Sequence, residues 1–220
     1  METEFQIMLD QLGVTFGERT QAVYARKFGT DWREEEHVTG SLLALVEYEA
    51  ENFAATQPGF GLSLTVKLTK RTDEHENGTD ALIRFSCDAE EWQLQTFLLL
   101  QAKRHDAGRP MSGGDHARLQ RQLGNMLRYT PESFVLIYTS DGRILLVPAV
   151  AAQALRSRDL SHVNAIEWPR FWSGLLRGRC GDPVVERVPG EGRDWSPAYE
   201  LSIHATLNRE LPLAASVETM

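Results

Sequence analysis

LLLQAKRHD, residues 98–106, passes from hydrocarbon to charge within four positions. Leu98, Leu99 and Leu100 suit a strand that is apolar on both faces and therefore central in a sheet. Gln101 and Lys103 follow two residues apart, so on a strand both side chains leave the same face. A glutamine and a lysine at the mouth of a core need partners, and those partners must come from elsewhere in the chain.

Working outward, residues 92–103 (WQLQTFLLLQAK) read as a strand paired through the acidic turn CDAEE with a preceding strand over 79–86 (TDALIRFS). Residues 60–71 alternate, with Leu62, Leu64, Val66 and Leu68 on one side, and predict a half-buried strand that ends at the turn TDEHENG, 72–78. Upstream, Asp31 is a candidate N-cap with Glu34 three residues on. It opens a helix to about Ala55 whose apolar stripe is Val38, Leu42, Leu45, Val46 and Phe53. Residues 4–12 and 17–27 read as two short helices divided by Gly13.

Downstream, the loop DAGRPMSGG leads to a helix from about Asp115 to Tyr129, with Leu119, Leu123, Met126 and Leu127 as its core stripe. Strands over 133–139 and 143–148 flank Ser140-Asp141-Gly142, a hairpin turn. Beyond Pro148 a short helix near 149–156 and an aromatic stretch from Trp168 to Leu176 are expected to pack back on the core. Gly181 to Pro197 reads as loop, LSIHATL (201–207) as an added edge strand, and the last ten residues as frayed. The order helix, three strands, helix, strand predicts an α/β fold with a central mixed sheet flanked by helices. Its core covers 31–150, with an N-terminal helical extension (1–30) and a C-terminal helical and irregular appendage (151–220).

Composition narrows the class. The chain has 220 residues, 42% apolar and 25% charged, within the range of ordinary globular domains. No apolar run approaches the roughly 20 residues of a membrane span, and METEFQIMLDQLG lacks the basic and apolar regions of a signal peptide. Two cysteines, Cys87 and Cys180, make no disulfide framework, so a cytoplasmic protein with reduced thiols is expected. The net charge of −8 argues against coating nucleic acid by bulk electrostatics. The charges are nevertheless segregated. Gln101 to Arg128 carries Lys103, Arg104, Arg109, Arg118, Arg121 and Arg128 against two acids, whereas Asp31–Glu51 and Asp73–Glu91 are acidic. Carboxylates for a metal and cations for phosphate would divide in this way, and so would solvated surface faces.

Asp80 completes the constellation. In an antiparallel hairpin the start of one strand lies beside the end of the next, so the ends carrying Asp80 and Gln101–Lys103 are expected at one edge of the sheet, and the three side chains converge if Asp80 shares that face. A carboxylate and an amide oxygen are hard ligands suited to Mg²⁺ or Mn²⁺, and an ammonium beside them would stabilise charge on a phosphate. On the upstream helix, Glu36, Gly40, Leu43 and Glu47 share a face. On the downstream helix, Arg118, Arg121, Asn125 and Arg128 form a polar face able to contact phosphates.

The pattern G-T-D (78–80) with Q-A-K (101–103) about twenty residues on, at the end of an apolar strand, resembles the PD-(D/E)xK superfamily of restriction-endonuclease-like nucleases. Glu35-Glu36-His37-Val38-Thr39 with Gln101-Ala102-Lys103-Arg104 also looks like an E-E-x-x-T and Q-A-K-R pairing in a set of bacterial proteins. The resemblance implies an α-β-β-β-α-β core and a metal-dependent nuclease. Asp80, Gln101, the Ala102 carbonyl and Glu36 (or Glu47) would hold Mg²⁺ or Mn²⁺, and Lys103 would position the attacking water. Arg104, Arg118, Arg121, Gln122 and Arg128 would face nucleic acid, with DNA favoured over RNA. RecB-like members carry Gln-x-x-x-Tyr in this helix, and here Met126 occupies the tyrosine position, so only Gln122 carries over.

The resemblance further implies a role in DNA repair, restriction or anti-phage defence, with a protein partner or a second copy lending specificity and no membrane partner. Gln101 stands where the family has an acid, which also admits a catalytically inactive binding or scaffold subunit. Each residue has an ordinary reading too: Lys103 as the first solvated residue after a strand, Asp80 as a turn residue, the Glu34–Glu36 run as a solvated first helical turn. The Trp168/Phe171/Trp172 cluster reads as core or interface rather than a base-stacking platform. The six histidines lack zinc-type spacing, and neither a P-loop nor a G-x-S-x-G element is present.

Overall fold

The computed structural model describes residues 4–27, 35–57, 60–68, 79–89, 92–183 and 199–207. The expected N-cap at Asp31, the turn 72–78, the loop beyond residue 183 and the frayed terminus lie outside them. In chain order the main elements are α1 (Glu4–Lys27), α2 (Glu35–Thr56), β1 (Phe60–Leu68), β2 (Ala81–Ala89), β3 (Trp92–Arg104), α3 (Gly113–Met126), β4 (Ser133–Tyr138), β5 (Ile144–Pro148), α4 (Ala149–Ala154), β6 (Ile166–Glu167), α5 (Trp168–Leu176) and β7 (Tyr199–Leu207).

The seven strands form one mixed sheet in the order β1-β7-β2-β3-β4-β5-β6, flanked by helices on both faces. β2 and β3 are an antiparallel pair, and β3 and β4 run parallel through the α3 crossover. β3 is central, and every residue from Phe97 to Lys103 is buried. Its alternation divides two cores. Leu98, Leu100 and Ala102 join α1, α2 and α5 on one face, while Phe97 and Leu99 join Leu119, Leu123 and Met126 of α3 and Ala152 of α4 on the other. Burying an apolar side chain of this size is worth about 1.5–3 kcal/mol, so each leucine pins the register of the strand that carries Gln101 and Lys103.

Two departures from the sequence reading have clear causes. Residues 199–207 are not an edge strand: β7 inserts between β1 and β2, antiparallel to the first and parallel to the second. Leu201, Ile203 and Ala205 are buried on one side while Ser202 and His204 occupy the other, an alternation that cannot by itself tell an edge from an interior strand. Gly13 does not divide two helices either, because α1 is continuous from Glu4 to Lys27. A Cβ at Gly13 would lie 2.6 Å from Ser173 N, and one at Gly17 would lie 2.1 Å from Pro169 Cα. These glycines let α5 approach the α1 backbone, which offsets their roughly 1 kcal/mol helix penalty.

The aromatic stretch is core, as read: Trp168, Phe171 and Trp172 of α5 are buried, and Trp168 Nε1 donates to Thr20 Oγ1 of α1 at 2.7 Å. The β4–β5 hairpin turns at Gly142, whose φ of +83° requires a residue tolerant of the left-handed region. Gln21 of α1 ties the hairpin down, accepting from Ile144 N at 3.1 Å and donating to Gly142 O. Among the described residues no helix is long and apolar enough to cross a membrane.

Candidate metal and phosphate site

Asp80 immediately precedes β2, and the pairing of Ala81 with Leu100 places it opposite Gln101. Leu82 belongs to the α3-side core, so Asp80, two residues earlier, faces the same side of the sheet as Gln101 and Lys103. The backbone of Asp80 is held on both sides: its N–H donates to Leu100 O and its carbonyl accepts from Tyr199 N, each at 2.9 Å. The interior position of β7 thus fixes the carboxylate from the side opposite Gln101.

The side chains of Asp80 and Gln101 meet. Gln101 Nε2 donates to Asp80 Oδ2 at 2.5 Å, and Ala102 N donates to the same oxygen at 2.7 Å. A weaker contact of 3.3 Å runs from Gln101 Nε2 to Ala102 O. Asp80, Gln101 and Lys103 are only 8%, 1% and 8% exposed, so the cluster is removed from bulk water. Gln101 Oε1 is buried without a hydrogen-bond partner. An unsatisfied buried acceptor costs about 1–3 kcal/mol, a cost that a bound water or a cation would remove.

Lys103 emerges on the same face two residues past Gln101, beside Ile137 of the parallel neighbour β4. Arg104 departs from its expected place. It is exposed, and by alternation it shares the opposite face with Ala102, pairing in register with Tyr138. α3 ends at Met126, short of the expected Tyr129, so Arg118 and Arg121 lie on it and Arg128 in the turn beyond; all three are exposed, and Arg118 is bound to Asp115 at 2.9 Å. Gln122 flanks the buried stripe of that helix, and its Oε1 is also buried and unpartnered. Two orphaned amide oxygens therefore stand on elements of one face. Met126 fills core volume.

The two candidate glutamates belong to α2, which packs on the other face of the sheet through Val38, Leu42, Leu43, Val46 and Ala50. The start of α2 is nonetheless anchored at the site's end of the sheet. Thr39 Oγ1 contacts Tyr138 Oη at 2.9 Å, and Gly40 abuts the ring of Tyr199. Glu36 lies in that first turn, with its side chain outside the described residues. Glu47 sits seven residues beyond Gly40, about 10 Å along the helix axis, and is half-buried. Among the described residues, no three His, Cys, Asp or Glu side chains cluster for a metal ion.

Sequence reasoning missed one polar pair on this face. His105, next in the row after Gln101 and Lys103, is buried with its Nε2 2.8 Å from Asp159 Oδ1. Asp159 also accepts from Gly108 N and Ser161 N, each at 2.9 Å. Burial alone would raise the Asp159 pKa, but the hydrogen bonds from Ser161, His105 and Gly108 outweigh it and hold the carboxyl far below the usual carboxylate range. The alternation that aligns side chains 101, 103 and 105 is visible in the sequence; a partner 54 residues on is not. Comparison with protein-family models, curated proteins and solved structures found no match for the chain.

Proposed function

We propose that the chain is a divalent-metal-dependent phosphodiesterase acting on nucleic acid, with DNA as its substrate and a restriction-endonuclease-like core. The observation that carries the reading is the orphaned Gln101 Oε1 beside the Asp80 carboxylate. These oxygens are the donors that Mg²⁺ or Mn²⁺ prefers, and rotation of the Gln101 amide would present Oε1 in place of Nε2. With the Ala102 carbonyl and Glu36, they would hold the ion. Glu36 is preferred to Glu47 because its turn is anchored at the site's end of the sheet by the Thr39–Tyr138 contact. The bound ion would neutralise phosphate charge and help activate water. Lys103 would orient the nucleophile and stabilise developing charge on the phosphate. Arg118, Arg121 and Gln122 of α3, with Arg128 in the turn after it, would hold the backbone, while Arg104, on the other face, would contact only flanking strand. Cytoplasmic DNA repair, restriction or anti-phage defence fits such an activity, with a protein partner or a second copy of the chain supplying specificity.

The second reading, a non-catalytic binding subunit, is favoured by one observation. The Gln101 amide already donates to Asp80 Oδ2, a bond that occupies the carboxylate in the cation's place. Incubating the protein with plasmid and single-stranded DNA and Mn²⁺, beside Asp80→Ala and Lys103→Ala, decides between them. Cleavage abolished by either substitution supports the nuclease. Cleavage that survives both refutes the site, and no cleavage with any metal supports the binding subunit.

A further inference from the structure

A cavity of about 440 Å³ opens on the same face, at the carboxyl ends of the parallel strands β3 and β4. Ligands of open α/β sheets commonly bind outside the carboxyl ends of such strands, and the volume lies within the roughly 300–1,000 Å³ of small-molecule sites. Its floor is aliphatic: Ile137, Leu145 and Val147, with Leu160 and Val163 as a wall. His105 closes the inner end, and its buried link to Asp159 fixes the segment carrying Leu160 and Ser161.

The cavity lies beside the Asp80–Gln101–Lys103 cluster, whose residues do not line it. Ile137 is the register neighbour of Lys103, and His105 is two residues past Lys103, about 6.6 Å along an extended strand. A group bound in the cavity and a phosphate at Lys103 would thus be separated by a distance that one nucleotide bridges.

Charge at the rim selects what kind of group enters. Arg109 and Arg143 stand there, but each is matched by an acid, Arg109 with Asp106 at 3.7 Å and Arg143 with Asp141 at 2.8 Å. The backbone N–H of Ser140 holds Asp106, and the Thr139 hydroxyl holds Asp141, below the usual carboxylate range, so both are ionised at neutral pH. A rim with balanced charge over an aliphatic floor does not recruit a phosphate. It suits an uncharged planar ring, and apolar walls of this kind sandwich bases extruded from a stack.

From this juxtaposition we infer that the cavity receives one unstacked nucleobase of the strand whose phosphate lies at Lys103, which makes the substrate single-stranded or frayed nucleic acid. The choice of ligand rests on the nuclease reading; the cavity's preference for a neutral ring over a phosphate does not. In EDTA, binding of deoxyadenosine monophosphate and of inorganic phosphate would be followed by NMR titration. The proteins compared are wild type and the variants Val163→Trp and Ala165→Trp, which fill the cavity from half-exposed and exposed positions. Melting curves would confirm that each variant folds. The mononucleotide should bind wild type and bind both tryptophan variants at least tenfold more weakly, and inorganic phosphate should not displace it. Absence of binding to wild type, equal binding to the tryptophan variants, or displacement by phosphate would overturn the inference. With Mn²⁺, wild type should cut single strands in preference to blunt duplex, and Ala165→Trp should lose that preference. Mononucleotide binding without any DNA cleavage would retain the base site and sink the nuclease reading. Cleavage with equal single-strand preference in Ala165→Trp would do the reverse.

Discussion

Gln101→Glu is the substitution that asks most of the site. In the wild type the Gln101 amide donates to Asp80 Oδ2 at 2.5 Å within a cluster almost closed to water. The variant loses that donor, a hydrogen bond to a charged group worth about 1.5–3 kcal/mol. It also places a second carboxylate against the first. Two carboxylates sharing a site cannot both ionise cheaply, so one pKa rises. Each tenfold rise in that group's proton affinity costs a further 1.4 kcal/mol or so at neutral pH. A total loss of about 2–4 kcal/mol follows in EDTA at pH 7.5. For a chain of this size each kcal/mol moves Tm by roughly 2–4 °C, so the variant should melt about 4–16 °C below wild type. The raised group binds a proton more tightly in the folded state than in the unfolded one. Stability is therefore regained as pH falls through the raised pKa, and the deficit should shrink at about pH 5. A divalent cation should reverse the order of events, because the paired carboxylates become its ligands. At a hundred times its Kd, Mn²⁺ would restore about 2.7 kcal/mol. Thermal melts at two pH values, in EDTA and in Mn²⁺, read all of this. A variant that melts with the wild type in EDTA, or that gains nothing from Mn²⁺, would refute the placement of Gln101 against Asp80 as a cation site.

Three further outcomes follow from the packing and the buried groups. Gly17→Ala, which in a free helix would stabilise by about 1 kcal/mol, should instead cost about 1–3 kcal/mol as overpacking. Its Cβ would fall 2.1 Å from Pro169 Cα, and urea denaturation measures the loss. Asp159→Asn should destabilise at pH 7 by removing a carboxylate that accepts from His105, Gly108 and Ser161. Because the folded-state pKa is depressed, the wild-type advantage is in force above the ordinary carboxylate range and begins to fade only as pH falls below about 4; urea melts should give the same gap at pH 7 and 5 and a smaller one at pH 3, and a gap as wide at pH 3 as at pH 7 would contradict the account. Burial pushes the thiols of Cys87 and Cys180 up to about 12. Native protein at pH 8 should therefore alkylate with iodoacetamide far more slowly than protein in urea at buried Cys87 and at half-buried Cys180, and mass spectrometry that finds either cysteine modified at the denatured rate would show that its surroundings do not hold the thiol protonated.

The strands nearest residues 98–106 are legible because local patterning agrees with burial there. Leu98–Leu100 fixes a central strand, and Ser140-Asp141-Gly142 fixes the hairpin. The Asp80–Gln101 approach is legible too, since strand pairing converts a sequence interval into a juxtaposition. Other features depend on partners far along the chain. Gly13 reads as a helix break because nothing nearby shows that Ser173 of α5 occupies the space a side chain would take. His105 is one more polar residue after a strand until Asp159 is found beside it. The interior place of β7 follows from long-range pairing that alternation cannot encode. Arg104 groups with Lys103 as one basic run, but adjacent strand residues point to opposite faces.

That interior place of β7 also has a consequence in time. Thr206 reaches Gly61 across 145 residues of chain, and Tyr199 N–H grips the carbonyl of Asp80. As the polypeptide leaves the ribosome, β1 and the outer side of β2 lack the neighbour that joins them until residues 199–207 have been made. Both strands then present unpaired edges, a state that is slow to resolve and prone to self-association. The carboxylate at the heart of the site acquires its final backbone anchor only when β7 arrives. A chain cut short of residue 199 would leave the Asp80 carbonyl without its Tyr199 partner and the residue held from the β3 side alone, so synthesis of a distant strand completes the frame around the site.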